Sequence, residues 1–134
     1  MKPDASAEAA RWLAQADRDL AAARDLARSD HFNVACFQAQ QAAEKASKAV
    51  LYALGAEDAF GHSVRELLRA AAASVPALTR LDDAAMRLDR LYIPTRYPNG
   101  LPGGIPADAF SAEDAREAIS HAEAILAAAR TSIG

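Results

Sequence analysis

Cysteine is almost absent from this chain, with Cys36 the only one among 134 residues. A lone thiol excludes an internal disulfide and any cysteine-based zinc site. Aromatics are sparse too: four Phe, three Tyr and one Trp, without β-branched runs, make poor material for a sheet. No stretch approaches the roughly 20 apolar residues that span a bilayer, so no membrane association is expected. No apolar run follows Met1-Lys2-Pro3-Asp4, so a signal peptide is not expected and the cytoplasm is the expected compartment. An excess of positive charge is also missing. A net charge of −3 argues against sequence-independent binding to long nucleic acid and leaves room only for a local basic pocket. With no metal-ligand set, glycine-rich phosphate loop or nucleophile elbow, no metal and no cofactor is expected.

What is present is alanine, and with it helix. An apolar fraction of 51% and a charged fraction of 25% are those of a folded globular chain, and the length suits one domain, 1–134. Ala9, Leu13, Ala16, Leu20, Ala23 and Ala27 alternate in steps of four and three, which predicts a first helix from about Ser6 to Arg28. Phe32, Cys36, Ala39, Ala43, Ala46, Val50 and Ala53 keep the same step over a second, from about His31 to Leu54. Asp30 is its expected cap and Gly55 its stop. The two helices are expected to pair antiparallel across the short turn at Arg28–Asp30. Ser63 and Glu66 read as a capping box opening a short third helix that ends near Ala73. Pro76 precedes a fourth, with Leu78, Leu81, Ala85, Leu88 and Tyr92 on one face. From Ile93 to Phe110 stand four of the six prolines and three of the six glycines, a segment that reads as neither helix nor good strand. A connection of that length is usually functional or mobile. Ser111 and Asp114 then open a last helix carrying Ala115, Ile119, Ala122, Leu126, Ala129 and Ile133. The expected fold is all-α, an up-and-down bundle of about five helices, four long and one short, with a Pro/Gly-rich loop before the last.

Five residues are candidates for binding a ligand. Lys45 and Lys48, two of only three lysines, share a polar stripe of the second helix with Gln38, Gln41 and Tyr52. One turn apart, they could hold a phosphate; the plainer reading is a solvated face with a Glu44–Lys48 ion pair. His62 lies just before a helix start, where free backbone N–H groups attract an anion; it could also only fix the loop. Arg96 and Tyr97 stand between Pro94 and Pro98 on a stiff segment suited to a planar anion or a stacked base. The alternative for Arg96 is to tie the loop to the helix ends. His62 to Arg96 holds six arginines against four acids, and Arg80, Arg87 and Arg90 sit there among Asp82, Asp83 and Asp89 in what reads as a salt-bridged surface.

Three stretches, taken together, resemble a HEPN domain (higher eukaryotes and prokaryotes nucleotide-binding). They are Phe37-Gln38-Ala39-Gln40-Gln41-Ala42-Ala43-Glu44-Lys45-Ala46 with Lys48, then Gly61-His62-Ser63 with Glu66-Leu67-Leu68, and Leu88-Asp89 through Tyr92-Ile93-Pro94-Thr95-Arg96-Tyr97-Pro98. The resemblance implies an up-and-down bundle with a shorter extra helix, usually a homodimer. It also implies, for bacterial members, a minimal nucleotidyltransferase as partner in a toxin–antitoxin-like pair. Some members are metal-independent ribonucleases built on Arg-x4–6-His. Here no histidine follows Arg96 within that window. Arg24 to His31 and Arg116 to His121 match formally, but the first crosses a turn. The second spans about 140° of helix, which should part the two side chains. No catalytic residue is therefore assigned, and the leading expectation is a non-catalytic nucleotide- or RNA-associated protein. A ribonuclease toxin with a non-standard site, such as Arg96 with His62 in trans, and a ligand-free helical interaction module are the alternatives.

Overall fold

The computed structural model describes residues 4–134; Met1, Lys2 and Pro3 of the expected leaderless amino terminus lie outside them. Among the described residues there is helix and turn and no strand. Six α-helices form among them: α1 (Ala5–Arg28), α2 (Phe32–Ala53), α3 (Val64–Ala72), α4 (Asp82–Asp89), α5 (Pro106–Ala109) and α6 (Ala112–Ile133). Three are long, at 24, 22 and 22 residues.

The alanine seams do what their spacing requires. Ala9, Ala16 and Ala23 of α1, Ala39, Ala43 and Ala46 of α2, and Ala115, Ala122 and Ala129 of α6 are all buried. Small side chains let the three long helices approach closely, while Leu20, Val50, Ile125 and Leu126 supply the bulk between them. Helix α2 is the central element, packing on α1 and α6 and also on α3, α4 and α5. Val64, Leu68, Leu78, Leu81 and Leu88 close the core on the α3–α4 side.

Four expectations change. Asp30 does not cap α2: its backbone is left-handed at φ 64°, and α2 starts from His31 with no side-chain cap. The fourth helix is short, because Pro76–Leu81 winds as a 3-10 helix and only Asp82–Asp89 is α. Tyr92 therefore falls beyond it, where Pro94 lacks the N–H that would continue the ladder. The Pro/Gly segment is not wholly irregular. It contains a 3-10 turn at Pro98–Gly100 and the single-turn α5, each with proline in its first turn. Finally, Ser63 accepts from the Glu66 N–H at 3.1 Å, but Glu66 does not complete the box. The reciprocal box forms instead at Ser111 and Asp114 of α6.

Candidate functional site

Helix α3 is capped from across the fold. The Asp89 carboxylate, at the end of α4, accepts from the Val64 N–H at 2.7 Å, the Ser63 hydroxyl at 2.6 Å and the Arg65 N–H at 3.4 Å. The anion expected at this helix start is thus an internal one. Arg65 and Arg69 both bind Asp82, at 2.8 and 3.0 Å, and hold its carboxyl below the usual carboxylate range, the Arg65 hydrogen bond most of all. Arg87 does the same to Asp83. The salt-bridged surface read from the sequence is there, with Asp89 diverted to capping.

Three residues past Asp89 the chain turns on itself. Arg96 and Tyr97 both donate their N–H to the Ile93 carbonyl, at 3.0 and 3.2 Å, and Gly100 donates to Tyr97 at 3.2 Å. Thr95, fully buried, gives its hydroxyl to the Leu91 carbonyl at 2.5 Å, while its own carbonyl accepts from Asn33 of α2 at 3.0 Å. Gly100 lies so close that a Cβ there would stand 3.0 Å from the Pro94 Cα.

Arg96 is enclosed in this turn. Its Nε and Nη2 donate to the Tyr92 carbonyl at 2.9 and 2.7 Å. The guanidinium carbon lies 4.3 Å from the Phe37 ring centre, 4.6 Å from that of Tyr92 and 5.0 Å from that of Tyr97. Cation–π attraction to three rings pins the segment onto α2. Arg96 thus holds the turn to itself and to α2, and among the described residues nothing takes a hydrogen bond from Nη1, which leaves one edge of the guanidinium free.

His62 stacks on the same Tyr92 ring, at 4.7 Å and 17° between planes. Its Nδ1 meets Glu44 Oε1 at 3.2 Å, and its carbonyl accepts from the Gln40 amide at 3.0 Å. The His62 side chain is 60% exposed and that of Glu44 only 6%. A buried carboxylate behind an exposed imidazole orients the ring, with Nδ1 turned to Glu44 and the Nε2 edge toward solvent.

The lysines are committed elsewhere. Lys48 pairs with the other oxygen of Glu44 at 3.2 Å and lies 5.6 Å from the Trp12 ring centre. Lys45 pairs with Asp19 of α1, whose second oxygen accepts from Gln15 at 2.9 Å. The stripe on α2 is not a solvated face: Lys48 is buried and Gln38, Gln41, Lys45 and Tyr52 are half-buried. The fold therefore unites Arg96, Tyr97 and His62 around Tyr92, links Lys48 to them through Glu44, and leaves Lys45 against α1. Sequence reasoning missed Phe37, Gln40, Glu44 and Tyr92 as members of the site. Phe37, Gln40 and Glu44 recur at steps of three and four on one helix face, a signal that was available.

The formal Arg-x4–6-His matches lie elsewhere. Arg24 pairs with Glu123 at 3.0 Å. Arg116 pairs with Glu113, yet Arg116 and His121 border one shallow cavity of about 360 Å³ with Arg87, Glu117 and Ser120. Cys36, at the core, is chemically quiet. Burial, helped by the Asp114 charge, pushes its thiol up to about 12.

The described residues form an all-helical bundle with Arg96 caged beside α2. The HEPN domain profile matches residues 9–132, and the chain belongs to the HEPN domain family. It is similar to TT1696 from Thermus thermophilus, at 39% identity and a TM-score of 0.89 over 93% of this chain and 98% of that one. ST0689, an archaeal HEPN homologue, is 35% identical with a TM-score of 0.79, covering 95% and 98%. A HEPN domain protein from Thermotoga maritima, tm0613, is 32% identical with a TM-score of 0.72, covering 90% and 95%. No curated protein matches the chain. No helix among the described residues is long and apolar enough to cross a membrane.

Proposed function

We propose that this chain is a non-catalytic HEPN protein that dimerises, associates with nucleotide or RNA, and partners a minimal nucleotidyltransferase in a toxin–antitoxin-like module. The observation that carries this reading is the face built around Tyr92. Three kinds of recognition group converge there: the free Nη1 edge of Arg96, the His62 imidazole and the half-exposed Tyr97 ring. A cation edge beside two exposed ring systems suits a phosphate with a stacked base. Ile93 and Phe60, at 44% and 82% exposed, add apolar surface of the kind an interface uses. The test is a thermal-shift screen of the purified protein with nucleotides and short RNA, alongside co-purification with a minimal nucleotidyltransferase. Tyr97→Ala is the probe variant because its ring can be removed without opening the core. No shift with any nucleotide, and no change of partner or ligand binding in Tyr97→Ala or Arg96→Ala, overturns the proposal.

One observation favours a second reading, a ribonuclease toxin with a non-standard site. Glu44 orients an exposed imidazole that could take a proton, and the Tyr92 ring it stacks on also carries the Arg96 guanidinium, which could stabilise phosphorane charge. Growth arrest on expression that is lost in His62→Ala supports this reading, and harmless overexpression refutes it.

A further inference from the structure

A second concavity lies away from the Tyr92 face. It is an open depression of about 590 Å³ on the flank of α1, lined by Glu8, Arg11, Trp12, Gln15, Arg18 and Lys45 among others. Its size is that of a small-molecule pocket. Three of those residues are cations and one is an acid.

The lining is held in place by the protein itself. Glu8 accepts the Trp12 indole N–H at 3.0 Å with one oxygen and the Arg11 guanidinium at 3.0 Å with the other, which fixes the indole and occupies the only lining acid. Behind it, Trp12 rests on Tyr52, with centroids 5.5 Å apart. Gln15 and Lys45 are both steadied by Asp19. An ammonium has three donors and Asp19 takes one, so Lys45 keeps capacity toward the cavity. Arg18 has no hydrogen-bond or ion-pair partner among the described residues, although every other arginine of α1 has one. An unpaired guanidinium, a second cation and a fixed indole thus border one concavity.

We propose that this cavity binds a small aromatic anion, of the size and chemistry of a nucleoside monophosphate. Its ring stacks on Trp12 and its phosphate lies between Arg18 and Lys45. The indole supplies a flat apolar shelf, and the two cations supply charge-assisted contacts to an anion. Neither half of the ligand would be held well alone. This site does not depend on the function assigned to the Tyr92 face.

Trp12 is the only tryptophan, so intrinsic fluorescence reports on this cavity. Titration of the full chain with adenosine 5′-monophosphate should give saturable quenching, with adenosine and inorganic phosphate each binding at least about tenfold more weakly. Arg18→Ala, which removes a partnerless surface side chain, should weaken the monophosphate about tenfold, the cost of one charge-assisted contact. Tyr97→Ala should leave the quenching unchanged, which separates this site from the Tyr92 face. The proposal is overturned if the monophosphate gives no saturable quenching through the millimolar range. It is equally overturned if Arg18→Ala binds like the parent, or if a short oligonucleotide binds where the mononucleotide does not.

Discussion

Removing the Asp89 carboxylate tests how the two halves of the Tyr92 face are held together. Asp89 ends α4, three residues before Tyr92, and caps α3, which begins just after His62. Asp89→Ala deletes two short charge-assisted bonds, to the Val64 N–H at 2.7 Å and the Ser63 hydroxyl at 2.6 Å, and a weaker third at 3.4 Å. Such bonds are worth about 1.5–3 kcal/mol each before water replaces them. Losing a helix cap costs about 0.5–2 kcal/mol. Ser63 still caps Glu66 and is only half-buried, so water can reach the site and the sum is not reached. The expected loss is about 2–3 kcal/mol, equivalent to a Tm drop on the order of 10 °C for a domain of this size. Urea unfolding followed by far-UV circular dichroism measures it. Ser63→Ala should cost about 1 kcal/mol, and the double variant less than the sum, because one bond is shared. A loss below about 0.5 kcal/mol for Asp89→Ala would refute the reasoning, since no cap of this geometry is that weak.

Other expectations follow from single contacts. The Cys36 thiol, buried and pushed up to about 12, should resist Ellman's reagent in the folded protein at pH 8 and react at once in denaturant. The Asp82 carboxyl is lowered by Arg65 and Arg69, so its stabilising effect is present above its unfolded pKa and fades as pH falls through the folded one. Asp82→Asn should accordingly flatten the acid limb of the urea midpoint between about pH 5 and 2. Gly100→Ala should destabilise by about 1–3 kcal/mol in the same assay, because the new methyl meets the Pro94 backbone at 3.0 Å.

The long helices were legible because a step of four and three on alanine has one good solution, and α2 buries the predicted Cys36, Ala39, Ala43, Ala46 and Val50. The Ser111–Asp114 box was legible because both partners lie within one turn. What escaped were contacts between distant segments. Nothing local says that Asp89 will cap a helix 25 residues upstream, or that Asp19 will take Lys45 from 26 residues away. Arg96 stood out in the sequence, but whether its guanidinium faces ligand or loop depends on Phe37, on another helix. The Trp12 cavity was invisible for the same reason: its other lining residues share α1, but Lys45 comes from α2.

The turn between α1 and α2 is only three residues long, whereas Asn33 reaches Thr95 across 62 positions of the chain. Short separations cost little closure entropy and form early; long ones wait for a docking surface. The α1–α2 hairpin is therefore the expected nucleus, with the proline-rich turn docking on α2 afterwards. Arg96 is the clasp between that turn and α2, holding the Tyr92 carbonyl on one side and the Phe37 ring on the other.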